Sequence, residues 1–271
     1  MMRPRLGLLA GGGELPRLIL DACRRSGREV FVVAFKDQCD PETVQGVDHA
    51  WMRLGAAGST IRALKDHGVG ELVMAGRIRR PSLAGLMPDA KAMKILAGGV
   101  FNRGDDGLLR AIMNHLERTE GFRMVGVHEV MPELLTPEGV LGRAAPDARA
   151  RADMDVACRA ALDLGAEDRG QAAVALEGRV VATEGPDGTD AMLKRLAASG
   201  AAHGGVLAKM CKPGQDRRAD LPTIGRVTVE NAHAAGLKGI VVEAGASLTV
   251  GRDEIVRAAD GLGLFVAGVK I

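Results

Sequence analysis

The chain has 271 residues, 46% hydrophobic and 26% charged, a composition that excludes a disordered or collagen-like protein and gives length enough for two domains. Its 36 Lys and Arg nearly balance 34 Asp and Glu, so a formal charge of +2 supplies no field for an extended polyanion. With five Phe, one Trp and no Tyr there is no material for a base-stacking platform, and the expectation is no nucleic-acid partner.

From the N-terminus, residues 6–10 are predicted as a strand, Gly11, Gly12 and Gly13 as a turn, and residues 15–26 as a helix. Val30–Phe35 is a continuous apolar run, as a strand buried on both faces requires. A helix over residues 59–67 and a strand at 71–75 follow. This alternation predicts a parallel sheet with right-handed crossovers. Residues 83–101 are apolar and contain Met, but Pro88 and Gly98-Gly99 break them. They read either as core packing around an irregular helix or as the wall of an apolar ligand pocket. Residues 104–120 are predicted as a helix because Leu108, Leu109, Ile112, Met113 and Leu116 share one face, and residues 124–127 as a further strand.

Pro132, Pro137, Gly139, Gly142 and Pro146 then punctuate the chain. The boundary is placed there, giving a Rossmann-like domain over 1–132 and a second α/β domain over 133–271. In the second, residues 147–164 are predicted as an Ala-rich helix, and Ala172–Leu176 with residues 180–183 as a hairpin. A helix after Thr189 and strands at 205–210, Gly239–Glu243 and 264–267 complete the order.

Cys23, Cys39, Cys158 and Cys211 lack CxxC or CxH spacing and read as small buried thiols. The six histidines form neither HxH nor HExxH, so no transition-metal motif is present. The apolar run before Gly11 is too short for a signal-peptide core, and no later segment reaches the ~18–20 residues that span a bilayer without a charge. The expected location is the cytoplasm.

The glycine turn lies between a predicted strand and helix, where a backbone without Cβ atoms can approach a phosphate. A dinucleotide fingerprint needs glycine at 11, 13 and 16, but position 16 is Pro, and Asp37 only imitates the ribose-binding acid. A nucleotide or phosphate contact of another kind stays open beside a plain tight turn.

The densest polar chemistry lies between Glu184 and Thr228. The run from Glu184 to Asp190, containing Gly188 and Thr189, precedes a predicted helix. Residues 209–225 follow a predicted strand, at the carboxyl edge where open α/β sheets bind ligands. There Lys209, Lys212, Arg217 and Arg218 interleave with Asp216 and Asp220. That mixture suits a phosphate ester held through Mg²⁺, which takes one or two carboxylates plus phosphate oxygens and water. Lys and Arg offset charge on a transferring phosphoryl group. A solvated surface turn has the same composition, and Leu221-Pro222-Thr223-Ile224-Gly225 tilts toward a fixed loop. Thr189 or Asp190 either caps the following helix or contacts a ligand. Glu243, ending an apolar strand, reads as a salt bridge to the basic loop or as a catalytic group.

With those residues the chain resembles the LpxI family, the UDP-2,3-diacylglucosamine pyrophosphatases of Gram-negative lipid A biosynthesis, over essentially its whole length. The markers are Gly11 to Pro16, Gly104-Asp105-Asp106, Glu184 to Asp190, Lys209, Lys212-Pro213, Gln215-Asp216-Arg217, Asp220 to Gly225 and Glu243-Ala244-Gly245. The resemblance implies hydrolysis of the substrate pyrophosphate to UMP and 2,3-diacylglucosamine 1-phosphate. It implies a divalent cation, Mg²⁺ or Mn²⁺, substrate binding between two domains, and peripheral association with the inner membrane. Carried over, Asp220 is the first choice for metal binding or water activation and Asp216 the second. Lys209, Lys212 and Arg217 would bind the pyrophosphate, and Gly11, Gly12 and Gly13 would approach the nucleotide. Gly188, Thr189 and Asp190 would complete the site, with Gln215 and Thr223 also on the substrate. Asp105 and Asp106 are further candidates that a helix N-terminus explains equally. A homodimer is the general expectation for a soluble α/β enzyme. The competing reading is a sugar-nucleotide-binding protein without hydrolytic activity.

Overall fold

A computed structural model describes residues 4–79, 86–97 and 105–271. Parts of the apolar stretch 83–101, at 83–85 and 98–101, lie outside the described residues, as do Gly104 and the side chains of Asp105 and Asp106. The chain divides into two units, Met1–Pro132 and Glu133–Ile271.

The first unit is built on a parallel sheet of β1 (Arg5–Ala10), β2 (Val30–Phe35), β3 (His49–Met52), β4 (Val69–Ala75) and β5 (Arg123–Met124), in the order β3-β2-β1-β4-β5. Leu6 and Leu8 in β1, Val32 and Val33 in β2, and Leu72 and Val73 in β4 are fully buried, as expected of strands covered on both faces. Helices α1 (Leu15–Ser26), α2 (Ala57–Asp66), α3 (Ala90–Ala97) and α4 (Asp105–Arg118) alternate with them. Ile19 and Leu20 of α1, Leu64 of α2 and Met113 of α4 are buried in the core. Residues 124–127 do not form one strand: β5 stops at Met124, and a short helix α5 (Val127–Val130) begins after Gly126. Glu129 causes the change, because its Oε1 accepts the Gly126 N–H at 2.9 Å and closes a helical turn.

Side chains from three helices of this unit meet at Glu120. Glu120 lies 2.7 Å from Lys65 Nζ of α2 and 2.5 Å from Lys91 Nζ of α3. His115 Nε2 of α4 lies 3.2 Å from the same carboxylate. The two lysines, first by hydrogen bonding and then by charge, pull the Glu120 carboxyl down to about 2.

The second unit has a six-stranded sheet in the order β6-β13-β11-β9-β7-β8, from β6 (Gly139–Leu141), β7 (Ala172–Leu176), β8 (Arg179–Thr183), β9 (Val206–Lys209), β11 (Gly239–Glu243) and β13 (Phe265–Val269). β9, β11 and β13 run parallel, whereas β6 is antiparallel to β13, and β7 to both β9 and β8. A separate two-strand parallel ribbon joins β10 (Thr223–Ile224) to β12 (Leu248–Thr249). Alternation along the strands feeds two layers. Val174, Leu207, Ile240 and Val266 pack on α7 (Gly188–Ser199), α8 (Arg226–Ala234) and α9 (Arg252–Leu262). Ala173, Ala175, Ala208 and Ala267 face the opposite way, onto Ala150, Ala157 and Ala161 of α6 (Ala148–Ala166). Small residues on both sides bring α6 close to the sheet. Its first turn is capped by Asp147, whose Oδ1 accepts the Ala150 N–H at 2.8 Å.

All four cysteines are buried and none forms a disulfide. Burial pushes the thiols of Cys23 and Cys39 up, and that of Cys158 to about 12. No helix among the described residues is long and apolar enough to cross a membrane.

Candidate functional site

β9 and β11 end on one edge of the second sheet, where β7 begins opposite Lys209 and β8 finishes. Gln171, Glu184, Lys209 and Glu243 therefore stand at neighbouring strand ends despite their separation in sequence.

Lys209 is 8% exposed, and its Nζ donates to the Thr223 carbonyl at 3.1 Å. An ammonium that far from water must be surrounded by oxygen, so it ties the strand end to the loop that follows. At Cys211 the backbone N–H donates to Glu243 Oε2 at 3.1 Å, while Glu243 Oε1 lies 3.8 Å from Arg217 Nη2. The charge at the end of β11 is thus answered by the basic loop, the first of its two expected roles. Gln215 Oε1 accepts from the Lys212 N–H at 3.2 Å and the Cys211 thiol at 3.5 Å, closing the turn.

Lys212 Nζ donates to Asp168 Oδ1 at 2.8 Å. Asp168, at a positive φ of 53°, follows the end of α6, and nothing in the sequence pattern marked it. Gly165 of α6 permits the approach: a Cβ there would lie 3.2 Å from Lys212 Cα and 3.3 Å from Pro213 Cδ. Asp216 is gripped by Arg218, whose N–H and Nε meet Oδ1 at 3.0 Å and whose Nη2 meets Oδ2 at 2.8 Å. Asp220 is exposed at the lip of the loop, its backbone N–H 3.4 Å from the Asp216 carbonyl.

The segment beyond Asp220 is fixed, as its Pro and Gly led one to expect. Thr223 Oγ1 donates to the Leu221 carbonyl at 3.0 Å. The Leu248 and Val250 N–H groups donate to the Pro222 and Ile224 carbonyls at 2.8 and 2.9 Å. Behind that ribbon, Thr136 N–H bonds the Ser247 carbonyl at 2.9 Å, and Thr136 Oγ1 meets Thr249 Oγ1 at 2.6 Å in a buried pair.

The segment from Glu184 to Asp190 joins the same edge. Glu184 Oε1 accepts from Thr189 Oγ1 at 2.6 Å and Oε2 from the Gln171 N–H at 2.7 Å. The Gln171 carbonyl accepts from the Met210 N–H at 2.9 Å, which joins the two segments through one residue. Gly188 opens α7 at φ 85°, a conformation that favours glycine. Neither Thr189 nor Asp190 caps the helix: Thr189 turns to Glu184, and Asp190 Oδ1 accepts from Asn231 Nδ2 of α8 at 3.1 Å. Asp187 pairs with Arg195, which holds its carboxyl below the usual range.

The glycine turn belongs to the first unit. It sits between β1 and β4, where the strand order of that sheet reverses. The Gly11 N–H donates to the Ala75 carbonyl at 2.8 Å, and Gly12 exchanges two hydrogen bonds with Arg77 at 2.9 and 2.8 Å. The Gly13 N–H donates to Asp40 Oδ2 at 2.9 Å. A Cβ at Gly11 would come within 2.5 Å of the Arg77 carbonyl, and one at Gly12 within 2.6 Å of the Gln38 carbonyl. Chain packing alone therefore requires the first two glycines, and all three N–H groups already have protein acceptors.

Among the described residues no group of three or more His, Cys, Asp or Glu side chains is placed to hold a metal ion. A Mg²⁺ that shares its shell with phosphate oxygens and water needs only one or two carboxylates. Asp220, with Asp216 one turn before it in the same loop, supplies a carboxylate set of that size and not an all-protein cage.

Residues 5–134 match the family model of the LpxI N-terminal domain, and residues 137–267 that of the LpxI C-terminal domain. The UDP-2,3-diacylglucosamine pyrophosphatase LpxI of Caulobacter vibrioides, a hydrolase, is 43% identical over 98% of this chain and 97% of its own. Among solved structures, the UDP-glucose 4-epimerase of Thermus thermophilus in complex with NAD is 16% identical with a TM-score of 0.33, covering 98% of this chain and 86% of that one. CobK precorrin-6A reductase is 13% identical with a TM-score of 0.32, covering 99% and 90%. At those TM-scores neither bears on the reading. The two domain matches and the full-length relative place this chain in the LpxI family.

Proposed function

We propose that this protein hydrolyses the pyrophosphate bond of UDP-2,3-diacylglucosamine, giving UMP and 2,3-diacylglucosamine 1-phosphate for lipid A synthesis. The observation that carries the reading is the sheet edge where the Glu184–Asp190 and Lys209–Gly225 runs converge on Gln171 and Glu243, in a chain whose family relative bears that activity in its name. Hydrolysis adds water across the anhydride. One P–O bond breaks, the water oxygen stays on one phosphate, and the other phosphate leaves with the bridging oxygen.

In this reading Lys209, Lys212 and Arg217 offset the phosphate charge, each already oriented by Thr223, Asp168 or Glu243. Asp220 would hold Mg²⁺ or Mn²⁺, with Asp216 joining if Arg218 yields its place. When bound, the cation supplies Lewis-acid stabilisation of the phosphate charge. Gly188, Thr189, Gln215 and Thr223 border the substrate, and the acyl chains bring the protein to a membrane surface peripherally.

The test is turnover of UDP-2,3-diacylglucosamine by purified protein with Mg²⁺, with Mn²⁺ and with chelator, followed by phosphorus NMR. UMP and a sugar 1-phosphate appearing only with metal is the expected result. In that assay Asp220→Asn should lower kcat roughly a hundredfold with KM changed less than about threefold. Tight substrate binding without cleavage under any metal would replace the hydrolase by a sugar-nucleotide-binding protein.

A further inference from the structure

Gln171 lies just before β7 and was marked by no sequence motif, yet its backbone is bonded to both halves of the site. Its N–H is taken by Glu184 and its carbonyl by Met210. The approach is close. A Cβ on the preceding Gly170 would come within 3.1 Å of the Glu184 carbonyl and 3.2 Å of Glu184 Cβ. With the backbone fixed in this way, the side-chain Oε1 is buried and finds no hydrogen-bond partner among the described residues.

The Met210–Lys212 stretch also bonds a second glutamine, which shows the complementary feature. Gln215 Nε2 is also buried without a partner among the described residues. Its Oε1 is fixed by the Lys212 N–H, which identifies the oxygen end of the amide and leaves the NH₂ end facing elsewhere. One edge of the sheet thus holds a buried acceptor and a buried donor, both with capacity to spare. Leaving either unpaired is unfavourable, so each is expected to be matched when the site is filled.

We propose that Gln171 and Gln215 together bind one hydroxyl group of the sugar nucleotide, which donates its proton to Gln171 Oε1 and accepts from Gln215 Nε2. A hydroxyl is the group that is donor and acceptor at the same atom. The substrate of the proposed hydrolysis presents hydroxyls on its ribose and on its hexose, and the proposal rests on that reading.

The experiment uses Gln171→Met and Gln215→Met, which keep length and volume and remove the amide, singly and together. Each single variant should raise KM about three- to tenfold with kcat nearly unchanged, as for one hydrogen bond to a neutral partner. Because both would hold the same hydroxyl, the double variant should resemble a single one and not the product of the two. For Gln171→Met the melting temperature should stay level or rise, because a buried oxygen without a match is replaced by an apolar chain; Gln215→Met also removes the acceptor of the Lys212 N–H and is read through KM alone. A residue with only a structural role would lose stability and activity together. Inhibition by UMP and by glucosamine 1-phosphate separates the sources: weakened UMP inhibition assigns the ribose, weakened sugar-phosphate inhibition the hexose. Unchanged KM, multiplicative losses, or a fall in the melting temperature of Gln171→Met parallel to its loss of activity would each overturn the proposal. Wild-type protein that turns over nothing would instead remove the hydrolase reading beneath it.

Discussion

Gly165 offers a direct way to move the basic loop without touching a charged group. It is the penultimate residue of α6, and its missing side chain faces Lys212 and Pro213. In Gly165→Ala the new Cβ would meet Lys212 Cα at 3.2 Å, Lys212 Cγ at 3.3 Å and Pro213 Cδ at 3.3 Å. Carbon atoms prefer ~3.5–4.0 Å, so the turn must retreat by roughly half an ångström. Alanine gains up to about 1 kcal/mol over glycine inside a helix, and compression at the contact returns an amount of that order. Stability should therefore stay within about 1 kcal/mol of wild type, a few degrees in melting temperature. Activity should respond more sharply, since displacing a binding group by ~1 Å costs about a hundredfold. The expectation is a loss of about tenfold in kcat/KM for Gly165→Ala and about a hundredfold for Gly165→Val. Thermal melts and steady-state kinetics on the same samples measure both. Full activity in a folded Gly165→Val protein would refute the argument that the position of Lys212-Pro213 limits turnover.

Two predictions concern the first unit. Glu120 has its carboxyl drawn from an ordinary 4.5 to about 2 by Lys65 and Lys91, so its stabilising contribution is complete above pH ~4.5 and fades as pH falls toward 2. The gap in melting temperature between wild type and Glu120→Gln should be widest near neutrality and close through that acidic window, and a gap that widens on acidification would contradict the pairing. Arg28 and Glu71 form an ion pair with both side chains 8% exposed, and Arg123 Nη1 reaches Glu71 Oε1 at 2.6 Å. Glu71→Ala leaves the buried Arg28 charge uncompensated and should cost about 3–5 kcal/mol in urea unfolding; a cost below ~1 kcal/mol would mean that water reaches the guanidinium.

The parts of the fold legible in the sequence are those whose burial is two-sided. β1, β2, β4, β9 and β11 are apolar runs bounded by turns, and their existence follows from composition alone. β3 escaped because His49–Met52 is a short edge strand with half-exposed residues, which carries no such run. The two-residue strands β10 and β12 are made by their partners and have no pattern of their own to read. In the site, the run from Lys209 to Gly225 announced itself by density of charge. Its partners did not: Asp168 meets Lys212 across 44 positions, and Gln171 contributes through backbone groups that every residue possesses. The glycine turn was legible only as a close approach, since small residues signal one without saying whether a ligand or another strand is approaching.

The ribbon of β10 and β12 bears on how the second unit can be cut. Leu248 bridges Leu135 as well as bonding Pro222, and Thr136 reaches both Ser247 and Thr249. A fragment that starts at residue 138 would keep every candidate side chain of this unit and still lose the stitches that brace the Asp220–Gly225 loop from behind. Viewed as a machine part, the Asp220–Gly225 loop is mounted on the first few residues of its own domain, so the smallest piece able to hold it begins at the boundary and not at the first strand.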